Sequence, residues 1–100
     1  MPKTMVIRYR AHPEHADENE RLIQGVFEEL ARRRPPGVRY AALRLDDGVS
    51  FVHVVRLDGD DNPLVTMEAF RRFQSDIGDR IAEGPVAAEA TVAGSYGWPD

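Results

Sequence analysis

The chain holds three histidines, no cysteine, and tyrosines at 9, 40 and 96. His53 stands in the middle of the apolar run Phe51-Val52-His53-Val54-Val55. A histidine in that setting has two readings. It can serve a pocket as a base or hydrogen-bond donor, because its ordinary pKa lies near working pH. It can equally be a core or interface imidazole satisfied by one partner. No carboxylate or nucleophile stands at a readable spacing from it. Its apolar neighbours disfavour the imidazolium and predict a neutral ring at pH 7.

Other clusters carry weaker chemistry. His12-Pro13-Glu14-His15, with Glu18 one turn later, offers zinc-binding residue types. They fall at a polar helix start, where ligand geometry would be loose, and solvated residues around a helix start account for them better. Asp58-Gly59-Asp60-Asp61-Asn62 opens like a calcium loop. Pro63 stands where that loop needs glycine, and Ala69 where its closing Glu belongs, so a turn leading into a helix cap is expected. Without cysteine there is no disulfide, thiolate metal site or Cys nucleophile. Nucleotide-binding glycine motifs and the Gly-x-Ser-x-Gly elbow are missing from the sequence too. No metal and no other cofactor is expected.

Lys plus Arg is 13 and Asp plus Glu is 17, a formal charge of −4. That balance argues against nucleic acid and anionic membranes as partners. Asp47 to Val54 partly echoes the RNA-binding strand of the RNA-recognition module, but Asp47 replaces a base and only Phe51 could stack. Arg32-Arg33-Arg34 falls in a last helical turn, where cations complement the carbonyl end. No apolar run approaches the roughly 18 residues of a membrane span, and Met1-Pro2-Lys3-Thr4 does not open a signal peptide, so a cytoplasmic location is expected.

These residues must be positioned by elements that the punctuation delimits. Thr4 to Arg10 reads as a strand with Arg8 and Arg10 opposite the face of Tyr9. Pro13 to about Arg34 reads as a helix with the apolar stripe Leu22, Ile23, Val26, Phe27, Leu30 and Ala31. Glu28 and Glu29 precede Arg32 and Arg33 by four residues, which favours ion pairs on its wet face. Pro35-Pro36-Gly37 stops it.

Val38 to Leu45 and Val49 to Leu57 form a hairpin across Asp46-Asp47-Gly48. A two-residue loop pairs His53 with Ala42 and Val55 with Tyr40. A three-residue loop pairs Phe51 with Leu43 and Val54 with Tyr40, and the sequence leaves both open. A second helix starts at Asn62-Pro63 and buries Thr66, Met67, Phe70, Phe73, Ile77 and Ile81, with Ser75-Asp76 and Gly78 as candidate breaks. Gly84-Pro85 ends it, and Val86 to Tyr96 reads as the last strand, with a short tail after it.

The order strand, helix, strand, strand, helix, strand defines one α+β domain over residues 1–100, a ferredoxin-like βαββαβ sandwich. Two helices lie on one face of a four-stranded antiparallel sheet. Val49 to Val55 is apolar on both faces. Helices cover one face only, so a second copy of the chain is expected on the other.

That order, the two-sided third strand, Asn62-Pro63 opening a helix with Phe70 and Phe73, and the closing Val92-Ala93-Gly94-Ser95-Tyr96 resemble the dimeric α/β barrel superfamily. The branch it resembles is the antibiotic-biosynthesis-monooxygenase-like proteins, over about residues 4 to 98. The resemblance implies a homodimer in which two sheets close an α/β barrel, with a pocket between helices and sheet. Some members oxidise phenolic polycycles with dioxygen and no cofactor. Others bind or degrade haem, isomerise lactones or have no known activity. The second helix has no His at the axial position of the haem-binding relatives, so haem is not expected. By this resemblance His53 is the candidate base, and Tyr9, Tyr40, Phe51, Phe70, Tyr96 and Trp98 are the candidates to hold a small aromatic ligand. A non-catalytic ligand-binding or structural dimer is the alternative. A deep pocket with a polar group at its base favours catalysis, and a pocket filled by Phe27, Phe51, Phe70 and Phe73 favours the alternative.

Overall fold

Alternation along the first strand decides which face of the sheet becomes the core. In the computed structural model, which describes residues 2–97, strand β1 spans Lys3–Ala11. Tyr9 and Ala11 are buried, while Arg8 and Arg10 are exposed on the other side. A short 3-10 turn at Pro13–His15 leads into helix α1, Ala16–Arg33. The apolar stripe buries Ile23 and Val26 against the sheet. Arg34 closes the helix in the left-handed region at φ 47, its N–H donating to the Leu30 carbonyl at 2.8 Å.

Strands β2 (Val38–Arg44) and β3 (Ser50–Leu57) come next. Their register sets Tyr40 opposite Val55 and Ala42 opposite His53, which is the two-residue alternative. The connection itself is wider. The Leu45 carbonyl accepts from the Gly48 N–H at 3.0 Å, and only Gly48 takes positive φ (79°). A type I′ turn needs two such residues. Asp47 rigidifies the loop instead, accepting from the Val49 and Ser50 N–H groups at 2.9 and 2.8 Å.

The segment after Asn62 forms two short helices, broken at a candidate break, and starts with a 3-10 turn in place of the expected helical start. Asn62 does cap it, accepting from the Leu64 N–H at 3.0 Å. Beyond the cap the chain forms a 3-10 turn at Pro63–Thr66, helix α2 at Glu68–Gln74 and helix α3 at Ile77–Arg80. The buried members are Leu64, Met67, Phe73 and Arg80, and Thr66 is exposed. The break comes at Ser75-Asp76, where Asp76 takes φ 60.

Strand β4 runs Ile81–Ala90, so Gly84-Pro85 lies inside it rather than before it. Gly84 makes this workable. At φ +93 its Cα sits so close to β1 that an added Cβ would lie 3.1 Å from the Arg8 carbonyl oxygen. The pairing shifts register there, as a bulge does. Residues 91–97 leave the sheet, so the predicted strand to Tyr96 ends early.

The sheet order is β2-β3-β1-β4, all antiparallel, with the helices on one face. This is the expected ferredoxin-like sandwich. Glu29 ties its two helical halves together. It is 6% exposed rather than on the wet face, and accepts from Arg33 at 2.8 Å and from the Ala69 N–H of α2 at 2.8 Å. The Ala69 N–H first, and Arg33 second, hold its carboxyl below the usual range. Among the described residues no helix is long and apolar enough to cross a membrane.

Candidate functional site

His53 faces the helices from the centre of β3 and is 3% exposed. Both ring nitrogens are engaged. Nε2 lies 2.9 Å from the Tyr9 hydroxyl and Nδ1 lies 2.7 Å from the Tyr40 hydroxyl. The two tyrosines approach from strands on either side of β3, because Tyr9, Tyr40 and His53 share the helix-facing side of the sheet. The Phe73 ring packs 5.6 Å from the imidazole, centroid to centroid.

Behind Tyr9 the chain of polar groups continues. The Asn19 amide nitrogen, on α1, donates to the Tyr9 hydroxyl at 2.8 Å. Arg80 Nε, at the end of α3, donates to Asn19 Oδ1 at 3.1 Å. Arg80 is 5% exposed and has no carboxylate partner among the described residues. Its other donors meet the Ser75 and Phe73 carbonyls, and its guanidinium lies over the Phe73 ring. A buried cation is tolerable here because backbone carbonyls and an aromatic face replace water.

Burial sets the electrostatics. It pulls the His53 pKa down to about 4, so the ring is neutral at pH 7 as its neighbours predict. Burial pushes the Tyr9 phenol up, an effect opposed by the Asn19 hydrogen bond and the Arg80 charge. Burial also pushes Tyr40 well above its ordinary value.

The network opens on a cavity of about 230 Å³ between the sheet and α2–α3. Tyr40, His53, Tyr9 and Asn62 bring polar groups to walls made by Met5, Ile7, Val55, Leu64, Phe70, Phe73 and Ile77. A groove of about 460 Å³ crosses the opposite face of the sheet. Buried polar groups converge on the smaller cavity, which is what a binding site needs.

Of the residues singled out in the sequence, Tyr9, Tyr40, His53 and Phe70 come together around this cavity. Phe51 does not line it. It is 1% exposed and stacks behind Tyr9 at 5.5 Å, under the Arg44 guanidinium. Tyr96 is fully exposed, away from the cavity, and Trp98 lies outside the described residues. Phe27 packs on Tyr40 and Phe73 on His53, yet they leave the cavity open. His15 pairs with Glu18 at 3.3 Å, and no group of three or more metal-ligating side chains occurs among the described residues.

Asn19, Arg80 and Asn62 were missed as site residues. The first two carried a signal. Asn19 falls four and seven residues before Ile23 and Val26, inside the apolar stripe of α1. Arg80 falls seven after Phe73, inside that of α2–α3. A polar residue in a buried stripe must find a partner.

The sequence matches no protein-family model and no curated protein. Solved structures do match in fold. A Mycobacterium tuberculosis structure superposes with TM-score 0.74 at 13% identity, covering 95% of this chain and 98% of that one. A Nitrosomonas europaea protein, provisionally described as an antibiotic biosynthesis monooxygenase, gives 0.73 at 13% identity over 89% and 88%. A variant of SnoaB, a cofactor-independent oxygenase from Streptomyces nogalater, gives 0.67 at 19% identity over 94% and 95%. The chain therefore has the fold of antibiotic-biosynthesis-monooxygenase-like proteins, and at these identities the likeness speaks to fold alone.

Proposed function

We propose that this protein is a homodimeric, cofactor-independent oxygenase of the antibiotic-biosynthesis-monooxygenase-like branch, acting on a small phenolic substrate. The observation that carries the reading is the apolar cavity closed at one end by the Tyr40–His53–Tyr9 chain. Its volume of about 230 Å³ exceeds the roughly 150 Å³ that holds a benzene and falls short of the roughly 300 Å³ where drug-sized pockets begin. That volume suits one or two fused rings. The Phe70 and Phe73 rings in the cavity walls suit a flat ring, and a hydroxyl at the polar end suits its oxygen.

Both His53 nitrogens are hydrogen-bonded, so the imidazole exchanges no proton with a ligand directly and acts on it through Tyr40. An acidic phenol would therefore enter as its anion, with its oxygen on Tyr40. The phenolate transfers one electron to dioxygen, and the radical pair forms a carbon–oxygen bond at a ring carbon that bears hydrogen. The peroxide then loses that hydrogen with the outer oxygen as hydroxide. One oxygen atom stays on the ring as a quinone carbonyl, and dioxygen is the oxidant.

Homodimerisation is supported by the outer sheet face, where Leu43 and Val86 are 44% and 53% exposed beside Val52 and Val54. Engagement of both His53 nitrogens also favours a second reading, binding of a small aromatic without turnover. The test is dioxygen uptake and quinone formation with one- and two-ring phenols, beside calorimetric binding of the same compounds. Uptake supports the oxygenase. Binding without uptake selects the second reading, and neither result with any phenol overturns both.

A further inference from the structure

The buried polar chain has a direction. Arg80 can only donate, so the Asn19 oxygen must face it, and the Asn19 NH₂ must face Tyr9. Tyr9 thus accepts from Asn19, and its own proton is left for His53 Nε2, 2.9 Å away. A neutral imidazole that accepts at Nε2 carries its proton on Nδ1. Nδ1–H then donates to the Tyr40 oxygen at 2.7 Å. No described residue accepts the remaining Tyr40 proton, and Tyr40 lines the cavity. The opposite tautomer leaves the buried Tyr9 proton without an acceptor.

We infer that Arg80 and Asn19, which do not touch the cavity, fix the Nδ1–H tautomer of His53 and thereby make Tyr40 a hydrogen-bond donor to the ligand. They are positioning residues, and the site selects a ligand with a hydrogen-bond acceptor, a carbonyl or an oxyanion, over one that offers only a donor or no polar group. The ligand class rests on the cavity being the ligand site, and the tautomer does not.

Asn19→Asp reverses the chain without changing its shape. A carboxylate accepts from Arg80 and from Tyr9 together. Tyr9 then turns its proton toward Asp, accepts from Nε2–H, and leaves Nδ1 to accept from Tyr40. The experiment is ¹⁵N–¹H long-range NMR of histidine-labelled protein at pH 8, with indan-1-one and indane titrated into both forms. The wild type should show His53 protonated on Nδ1, and Asn19→Asp should show it on Nε2. The wild type should bind indan-1-one at least tenfold more tightly than indane, and the variant should lose that margin. A wild-type Nε2–H tautomer overturns the proposal even if the variant does not fold, as does a folded variant that keeps Nδ1–H. If the tautomers behave as stated but neither compound binds, the ligand class falls together with the cavity as ligand site.

Discussion

Tyr40 and His53 meet at 2.7 Å although they are not directly opposed across the hairpin. Ala42 faces His53 and Val55 faces Tyr40, so the contact is diagonal. Diagonal neighbours on one sheet face are within reach of aromatic side chains. A slip of one residue would turn Tyr40 to the other face and dismantle the site.

Tyr40→Phe is the direct test of that contact. The ring and its packing on Phe27 remain, while the hydroxyl that meets the ligand is gone. Affinity for a one- or two-ring phenolate should fall by about tenfold, the equivalent of one hydrogen bond of roughly 1.4 kcal/mol. Calorimetry checks it, and unchanged affinity would remove Tyr40 from the site.

Tyr9→Phe acts on stability instead. It strips the partner from both the Asn19 amide and His53 Nε2, which are buried. A loss of about 1–3 kcal/mol in urea unfolding is expected, the cost of leaving buried polar groups unpaired. A variant as stable as the wild type would show that the chain is slack.

Much of this arrangement was legible in the sequence. The six segments, the ferredoxin-like order and the neutral His53 come from punctuation, alternation and apolar neighbours. The proximity of Tyr40 to His53 was not legible, because two loop geometries differ by one residue of register and no local residue chooses between them. In the register observed, Tyr40 packs on Phe27 of α1, a contact distant in sequence. The start of β4 was hidden because Gly84-Pro85 reads as a terminator, whereas at φ +93 Gly84 serves a bulge. Phe51 and Tyr96 share a type with Tyr9 but not a place, since residue type does not say whether an aromatic lies behind the cavity wall or beyond the sheet.

Gly84→Ala tests the bulge. The added Cβ would meet the Arg8 carbonyl at 3.1 Å and Tyr9 Cβ at 3.2 Å, in a backbone conformation that L side chains rarely adopt. The expected cost is about 1–3 kcal/mol, and the displaced Tyr9 should also shift the His53 NMR signals. Wild-type stability would mean that β4 can move away freely.

Protonation of His53 gives a pH signature. Its folded pKa of about 4 lies below its ordinary 6.5. Between those values the unfolded chain binds a proton that the folded protein refuses, so stability rises with pH and is lost as pH falls from 6.5 toward 4. The full loss approaches about 3 kcal/mol. Urea midpoints at pH 7, 5.5 and 4.5 should decline more steeply for the wild type than for His53→Gln, which has no proton to refuse. Parallel declines would place the ring in contact with solvent.

The outer sheet face supplies the last prediction, which rests on the proposed dimer. The helices occupy one side only, and Val6, Val52 and Val54 stand on the other beside Leu43 and Val86. A lone chain leaves the exposed part of this strip, Leu43 and Val86 foremost, to water at a cost of about 25 cal/mol per Å². A second sheet laid across it removes that cost, and a specific interface needs at least roughly 1,200 Å² in total. Val54 lies near the middle of the strip, on β3 between β1 and β2. Val54→Asp would carry a carboxylate into the apolar middle of the interface, where it loses its water, yet leave the helix-facing core untouched. Light scattering at micromolar concentration should report a dimer for the wild type and a folded monomer for Val54→Asp. A wild-type monomer would end the dimer proposal, and a Val54→Asp dimer would move the interface to another face.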